Sequence, residues 1–162
     1  AMSNDASKIP SESLRQQIQE QAFLQEMPEA LREEIAEIIL IHCHPVDFEA
    51  GHVLFHSGEH SDDQAYLILE GTLEISSKSM TSLEINAPTL VGEMAHVTPL
   101  ETRLCTVTAL TNLSALNFSW HECFEAVQKK GGKKACQRLK LALQKLVWSR
   151  LIPQETGRQG TP

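Results

Sequence analysis

The 162-residue chain has no hydrophobic run long enough to cross a membrane. A spanning helix needs roughly 20 consecutive apolar residues, and polar or charged residues interrupt every apolar stretch before that length. The N-terminus also lacks the basic and apolar regions of a signal peptide. We therefore expect a soluble protein that works in the cytoplasm.

Cysteine is sparse and irregularly spaced. Cys43, Cys105, Cys123 and Cys136 include no Cys-x-x-Cys pair, which argues against a zinc ribbon and against a dense disulfide framework. Reduced thiols are the simplest interpretation. We expect Cys105 in the wall of a β structure and Cys123 and Cys136 in helix packing.

Positive charge is scarce in most of the chain. Residues 1–128 contain 5 Lys or Arg against 20 Asp or Glu, whereas residues 129–162 contain 9 against 1. An acidic body repels nucleic acid, so we do not expect the body to bind DNA or RNA. The basic C-terminal segment could meet an acidic partner, an anionic lipid surface or the chain's own acidic body, or it could form a solvated basic face.

Helical periodicity is confined to the two ends of the chain. Ser11 or Ser13 is a candidate N-cap for a surface helix that runs toward Phe23. A second helix begins near Pro28, because acidic residues follow it and apolar residues recur at helical spacing, namely Leu31, Ile35, Ile38 and Ile39. These residues predict an N-terminal arm or helix over residues 1–22, followed by the main domain over residues 23–151.

Helical spacing returns after Trp120. Gly131 and Gly132 should end this helix, and a last helix should run over about residues 133–151, before Pro153. Its apolar stripe consists of Ala135, Leu139, Ala142 and Leu146, widened by Leu143 and Val147. The stripe either packs on the domain or forms a dimer seam. We expect a disordered tail over residues 152–162.

Between about His42 and Asn117 the hydrophobic period changes to two. Short apolar runs separated by glycine or polar turns are typical of an all-β barrel or sandwich. Residues 104–109 and 113–118 are predicted to be a closing pair of strands. The alternation breaks between Leu90 and Pro99, in a stretch that includes Gly92. That break is the expected location of a functional site.

Arg103 is the only Lys or Arg between Lys78 and Lys129, and it follows Glu93 by ten residues. An isolated guanidinium in an acidic stretch either balances one carboxylate or binds an external anion. Phosphate matches its planar set of donors. We therefore regard Arg103 as a candidate phosphate ligand, with an ion pair to Glu93 or Glu101 as the structural alternative.

Several segments together resemble the cyclic nucleotide-binding domain, the module of cAMP-responsive bacterial regulators and of cAMP-dependent kinase regulatory subunits. The segments that carry the likeness are Phe48-Glu49-Ala50-Gly51, Leu54-Phe55, Gly58-Glu59, the run from Ala65 to Leu73 around Gly71, and Gly92-Glu93-Met94-Ala95 followed by Arg103. The likeness covers about residues 23–150. It implies an antiparallel, jelly-roll-like β-barrel with N-terminal helices and a C-terminal lid or dimerisation helix.

The resemblance also implies roles for the residues of the cassette that begins at Gly92. Glu93 would accept a hydrogen bond from the ribose 2'-hydroxyl, and the Met94 and Ala95 amides together with Arg103 would hold the cyclic phosphate. Gly92 allows the backbone to approach the ligand closely. Leu104 lacks a hydroxyl that could bond guanine, which favours cAMP over cGMP.

In the resembled family the last helix packs across the pocket, covers the base and often forms a dimer. Here Leu143 or Trp148 would supply the lid. The predicted protein is a sensor without catalysis or cofactor, which responds to a cyclic nucleotide and signals through its terminal helices to an effector protein. No DNA-reading, kinase or channel segment is expected within the chain, and a homodimer through the C-terminal helix is possible.

Two alternatives stay open. Val91 stands where the family usually has an aromatic residue, and Pro88-Thr89 replaces a Gly-acid pair, so the domain could have lost its ligand and serve as an interaction or dimerisation module. The second alternative is a cupin-like metal-dependent enzyme, with histidines on two neighbouring strands as ligands, namely His42, His44, His52 and His56. No Ser, His and Asp arrangement supports hydrolase chemistry.

Overall fold

A computed structural model describes residues 11–60, 62–78, 80–93 and 102–151. The described residues form two four-stranded antiparallel sheets with helices before and after them. The predicted fold class, mainly β with flanking helices in a jelly-roll-like arrangement, is confirmed. In the described part of the chain, no helix is both long enough and apolar enough to span a membrane.

Two helices precede the strands. Helix α1 spans Ser11–Gln19, a 3-10 turn spans Ala22–Leu24, and helix α2 spans Glu29–His42. Pro28 lies directly before α2, where its fixed φ suits a helix start and its missing N–H is no loss. The buried residues of α2 follow the predicted helical spacing and are Ile35, Ala36, Ile38 and Ile39.

Helix α1 packs one face on α2 and leaves its polar face exposed. Leu14 and Ile18 are buried in the same core cluster as the inner face of α2. Arg15 Nε donates to the Glu37 carboxylate of α2 at 2.8 Å. The helix also ends before Phe23, which is buried in the 3-10 turn instead. A domain boundary between residues 22 and 23 stays a prediction.

The strands alternate between two sheets. They are β1 (His44–Phe48), β2 (Val53–Phe55), β3 (Gln64–Glu70), β4 (Thr72–Ser77), β5 (Met80–Asn86), β6 (Thr89–Val91), β7 (Thr106–Ala109) and β8 (Leu113–Ser119). The first sheet has the order β1-β8-β3-β6 and the second has the order β2-β7-β4-β5. All pairs are antiparallel.

The central strand β3 is buried on both faces because it lies between two cores. Ala65, Leu67 and Leu69 face the helices, whereas Ile68 contributes to the core between the sheets. Successive strand residues point to opposite faces, so a strand between two cores reads as a continuous apolar run. The first sheet is therefore the layer that joins the helices to the rest of the fold.

The predicted closing pair of strands is wrong. Strand β7 pairs with β2 and β4, whereas β8 pairs with β1 and β3, so the two strands belong to different sheets. The connection between them crosses from one sheet to the other. Thr111 N and Leu110 N both donate to Thr72 O, which anchors this crossing. Sequential order therefore did not predict pairing here.

Helix α3 spans Trp120–Leu151 and is broken at Gly132, where φ is 73° and ψ is −168°. The predicted interruption at this glycine is confirmed. We call residues 133–151 the C-terminal helix. Its apolar stripe packs against the chain's own helical core, where Ala135, Leu139 and Leu143 are buried. Because the chain itself covers the stripe, the stripe is not exposed as the proposed dimer seam.

Candidate functional site

Arg103 is held in place by the turn that contains Gly58. Arg103 N donates to Glu59 O at 2.7 Å, and Gly58 N donates to Arg103 O at 2.8 Å. Gly58 has a φ of +91°, a conformation that side chains with a Cβ disfavour. The turn that contains Gly58 therefore holds the backbone of Arg103 through two hydrogen bonds.

The side chain of Arg103 is buried, with 8% of the residue exposed. Its guanidinium carbon lies 3.8 Å from the centroid of the Phe55 ring, which is a favourable cation–π position. Arg103 Nη2 donates to Asp62 Oδ1 at 2.6 Å and more weakly to Gln64 O at 3.4 Å. The guanidinium is thus oriented by an aromatic face and by one carboxylate.

The ion pair expected at Arg103 exists, but its partner is Asp62 rather than Glu93. Glu101, the other predicted partner, lies outside the described residues. The Asp62 side chain is 63% exposed, whereas that of Arg103 is 7% exposed. A buried cation is thus matched by a carboxylate that remains in contact with water.

Gly92 and Glu93 follow strand β6 at the predicted break. Gly92 has a φ of +94°, and a Cβ added there would lie 2.5 Å from Gln64 O and 2.9 Å from Ala65 Cα. Any larger residue would therefore push against the backbone of β3. Trp120 Nε1 donates to Gly92 O at 2.9 Å, which ties the start of α3 to the start of the cassette.

Glu93 is buried and paired with Arg150 of the C-terminal helix. Arg150 Nη1 donates to Glu93 Oε2, and Arg150 Nη2 donates to Thr89 Oγ1 at 2.7 Å and to Leu90 O. The two charged side chains are 9% and 6% exposed. The carboxylate predicted to bind the ribose is therefore already bound by the end of the last helix.

The contact between Arg150 and Glu93 was not predicted from the sequence. The sequence left open whether the basic C-terminal segment meets solvent, a partner or the chain's own acidic body, and Arg150 meets the acidic body because it is buried against Glu93. The only signal was indirect: Thr89, noted as a departure from the family pattern, accepts a hydrogen bond from it. A cation at the end of a helix gives no indication of which distant carboxylate it will meet.

The remaining predicted site residues belong to the cassette, to position 104 and to the candidate lid. Met94 and Ala95 lie outside the described residues. Leu104 is 42% exposed, and its carbonyl accepts a hydrogen bond from Ser57 Oγ at 3.2 Å. Of the two candidate lid residues, Leu143 is buried in the helical core, whereas Trp148 is 60% exposed. A lid role for either stays a prediction.

Two ionisable groups near the charged pairs have raised pKa values. Burial, reinforced by the Glu93 carboxylate and opposed by Arg150, raises the pKa of the Cys105 thiol. Burial and the Asp62 carboxylate, opposed by Arg103, raise the pKa of Tyr66. Both groups are therefore neutral at physiological pH, and each is sensitive to the charge of one ion pair.

The proposed histidine metal site does not assemble in the described residues. His42 ends α2 and contacts Ile38 O through Nδ1 at 2.8 Å, so it is not on a strand with His44 as predicted. His52 stacks on Phe48 with ring centroids 4.9 Å apart. Within the described ranges, no three His, Cys, Asp or Glu side chains are grouped to hold a metal ion.

Comparison with known proteins points to one family. The family model of the cyclic nucleotide-binding domain matches residues 45–130, which include strands β1 to β8 and the start of α3. No curated protein sequence matches the chain significantly.

Solved structures share the fold at low sequence identity. A candidate cyclic nucleotide-binding protein from Geobacter metallireducens superposes with a TM-score of 0.63 and 20% identity, over 88% of this chain and 98% of that one. The regulatory subunit of a cAMP-independent protein kinase A from Trypanosoma brucei gives 0.66 and 18%, over 93% and 49%. The sensor domain of the transcriptional regulator DNR from Pseudomonas aeruginosa gives 0.62 and 18%, over 87% and 95%.

Proposed function

Because the chain belongs to the cyclic nucleotide-binding domain family, we propose that it is a cyclic nucleotide sensor without catalytic activity, and that it signals through its C-terminal helix. The ligand-binding residues would be Glu93 and Arg103, with Gly92 and the Met94 and Ala95 amides. cAMP is the preferred ligand over cGMP. The sensor would act in the cytoplasm on an effector protein.

The Arg103 ion pair supports exchange with a phosphate. A cyclic phosphate carries one negative charge, as the Asp62 carboxylate does, so replacing one by the other keeps the buried guanidinium neutralised. Asp62 is mostly exposed and returns to water at little cost. Phe55 holds the guanidinium plane on its other side. Phosphate binding at Arg103 therefore leaves no unpaired buried charge.

The single observation that carries the signalling proposal is the buried contact between Arg150 and Glu93. A ribose hydroxyl that bonds Glu93 must either share the carboxylate with Arg150 or displace Arg150 from it. In both cases the ligand changes the free energy of the contact that holds the end of the C-terminal helix. The ligand would then shift the population between helix placements by the difference of its affinities for them.

The preference for cAMP rests on Leu104. A leucine side chain has no hydroxyl, so it offers no hydrogen bond to a guanine base. Leu104 therefore removes a contact to guanine and adds no specific contact to adenine. Titration with both nucleotides under the same conditions measures it directly.

Calorimetry with cAMP and cGMP tests the function. We expect saturable binding of cAMP by the wild type, weakened roughly tenfold to a hundredfold by Arg103→Ala, because a charge-assisted bond contributes about 1.5–3 kcal/mol. Arg15→Ala is the matched control, since it removes an arginine that pairs with Glu37 far from the cassette, and it should bind as the wild type does. No heat with either nucleotide at millimolar concentration would overturn the proposal.

Signalling needs a separate measurement. Hydrogen exchange of residues 133–151 should change when cAMP is added to the wild type, and it should not change in Arg103→Ala. Binding without any change in this helix would leave a receptor that signals through other elements. That result would refute the role of the Arg150 contact.

A second candidate function has its own support. Both charged residues expected to meet the ligand are already paired inside the chain, Arg103 with Asp62 and Glu93 with Arg150. A domain with its site satisfied in this way can retain the fold as an interaction module. Absence of nucleotide binding in a folded wild-type protein would favour this function.

A further inference from the structure

The outer face of the C-terminal helix carries exposed apolar and basic side chains. Leu141 and Trp148 are seven residues apart, so they lie two turns apart on the same side of the helix. They are 57% and 60% exposed. Lys134, Arg138 and Lys145 lie on the same side and are also exposed. We call these five residues the basic face.

A groove runs beside the basic face. It has a volume of about 360 Å³ and lies between the C-terminal helix and the segment that contains the 3-10 turn. Its apolar lining includes Phe23, Met27, Leu141 and Leu146. Arg138, Lys145 and Glu26 also line it, so a hydrophobic floor is bordered by two cations and one carboxylate.

One cation beside the groove already pairs with a carboxylate of the chain. Lys145 Nζ donates to Glu26 Oε1 at 2.5 Å, and both side chains are about two-thirds exposed. Arg138 is exposed, and no ion pair joins it to any of the described residues. Since Glu26 already pairs with Lys145, Arg138 is the cation at the groove that favours an occupant with negative charge.

The basic face is unsuited to pairing with its own copy. Two copies of the C-terminal helix joined along this face would bring their Lys134, Arg138 and Lys145 side chains together, and like charges across an interface cost free energy. The apolar stripe that would avoid this repulsion is already covered within the chain. A flat bilayer surface would contact Trp148 but would not enter the groove.

We propose that the basic face and its groove bind an acidic amphipathic helix of a partner protein. Apolar side chains of such a helix, at positions i, i+3 and i+7, would fill the groove beside Leu141 and Trp148. Its carboxylates would meet Arg138 and Lys145. The proposal rests on the basic face and its groove, and its test requires no nucleotide.

The test uses the full chain and a labelled synthetic helical peptide of about 20 residues, with leucine at those three spacings and glutamate on both flanks. Fluorescence anisotropy should show saturable binding. Trp148→Ala should weaken binding roughly tenfold, because an aromatic anchor dominates small interfaces. Arg138→Glu should weaken it by a similar factor through charge reversal.

The controls show whether binding depends on where the charges lie or only on the net charge of the protein and the peptide. Arg32→Glu makes the same charge change on α2 and should leave the affinity within about twofold. The same peptide with lysine replacing each glutamate should not bind, and equal binding of it would overturn the proposal. So would the absence of binding to the acidic peptide.

Two further outcomes would assign the face to another occupant. Binding to phosphatidylserine vesicles that Trp148→Ala abolishes, without binding to the peptide, would make it a lipid surface and overturn the proposal. A dimer in sedimentation that Trp148→Ala dissociates would do the same in favour of a second copy. A monomer that binds only the acidic peptide is the expected result.

Discussion

The two arginines at the site form ion pairs of different character. Arg103 pairs with Asp62, a carboxylate that remains mostly exposed, whereas Arg150 pairs with Glu93 in a contact that excludes water from both partners. An exposed carboxylate is easily replaced, because water stabilises it once it is released. A buried pair is not, since removing one partner strands the other. The Arg103 pair is thus suited to exchange with a ligand and the Arg150 pair to holding a helix.

The largest expected effect is on stability, from breaking the buried pair. Arg150→Ala leaves Glu93 as an uncompensated buried carboxylate and should lower the free energy of unfolding by about 3–5 kcal/mol. Lys145→Ala on the same helix removes an exposed pair and should cost at most about 1 kcal/mol. Urea unfolding measures both.

A double variant sharpens that result. Glu93→Leu combined with Arg150→Met replaces the charges by apolar side chains and should recover much of the lost stability. Equal losses in Arg150→Ala and Lys145→Ala would mean that the two pairs do not differ as their burial indicates.

The second effect concerns the backbone that positions Glu93. Gly92→Ala combines a positive φ with contacts of 2.5 and 2.9 Å to the backbone of β3, and should destabilise the fold by about 2–5 kcal/mol. Gly58→Ala is the matched control, because its φ is nearly the same and nothing lies within 4 Å. It should cost only the conformational strain, about 1–2 kcal/mol.

Thermal or urea unfolding of both glycine variants separates the cost of the positive φ from the cost of the close contacts with β3. A loss at Gly58 as large as that at Gly92 would show that the close approach to β3 contributes nothing.

The third effect is on ligand affinity. Asp62→Asn removes the carboxylate that competes with phosphate for Arg103, and should raise the affinity for cAMP by roughly threefold to tenfold. Asp47→Asn makes the same change at an exposed residue of β1 and should leave the affinity unchanged. Weaker binding by Asp62→Asn in calorimetry would show that Asp62 assists the ligand instead of standing in for it.

The smallest effect is a shift in thiol reactivity. Glu93 raises the pKa of Cys105 and Arg150 lowers it. Glu93→Gln removes the anion and keeps the cation, so the Cys105 pKa should fall and the thiol should become reactive toward iodoacetamide at a lower pH. Cys43, whose pKa is raised mainly by its own burial, should be unaffected.

Mass spectrometry of the two cysteine-containing peptides, over a range of pH, follows both thiols in one sample. A parallel shift at Cys43 would indicate general loosening of the fold. An unchanged Cys105 profile would contradict the electrostatic contact with the buried pair.

The fold was largely predictable from the sequence because its signals are local. Alternation marked the strands, Pro28 marked the start of α2, and Gly132 marked the break in α3. The pairing of strands was not predictable in the same way: β7 and β8 follow each other in sequence but lie in different sheets. A residue pattern fixes which face of a strand is buried, but not which neighbour it bonds.

The site was predictable only in part. Gly92, Glu93 and Arg103 could be singled out by their order and spacing and by the family resemblance, because they lie close together in the chain, and their role in binding stays a prediction. Their partners could not, since Asp62 precedes Arg103 by 41 residues and Arg150 follows Glu93 by 57. An ion pair between distant residues depends on the packing of whole elements, and no local pattern encodes it.

The break at Gly132 has a mechanical consequence. Trp120, the first residue of α3, holds Gly92, and Arg150, near its end, holds Glu93. A straight helix would separate these two residues by about 45 Å, so the chain must reverse direction at Gly132 for both to contact adjacent residues. The segment from residue 120 to residue 150 is thus a helical hairpin whose two ends bind residues 92 and 93. A change in the bend at Gly132 would therefore disturb one of these two contacts, which makes this glycine the hinge of the hairpin.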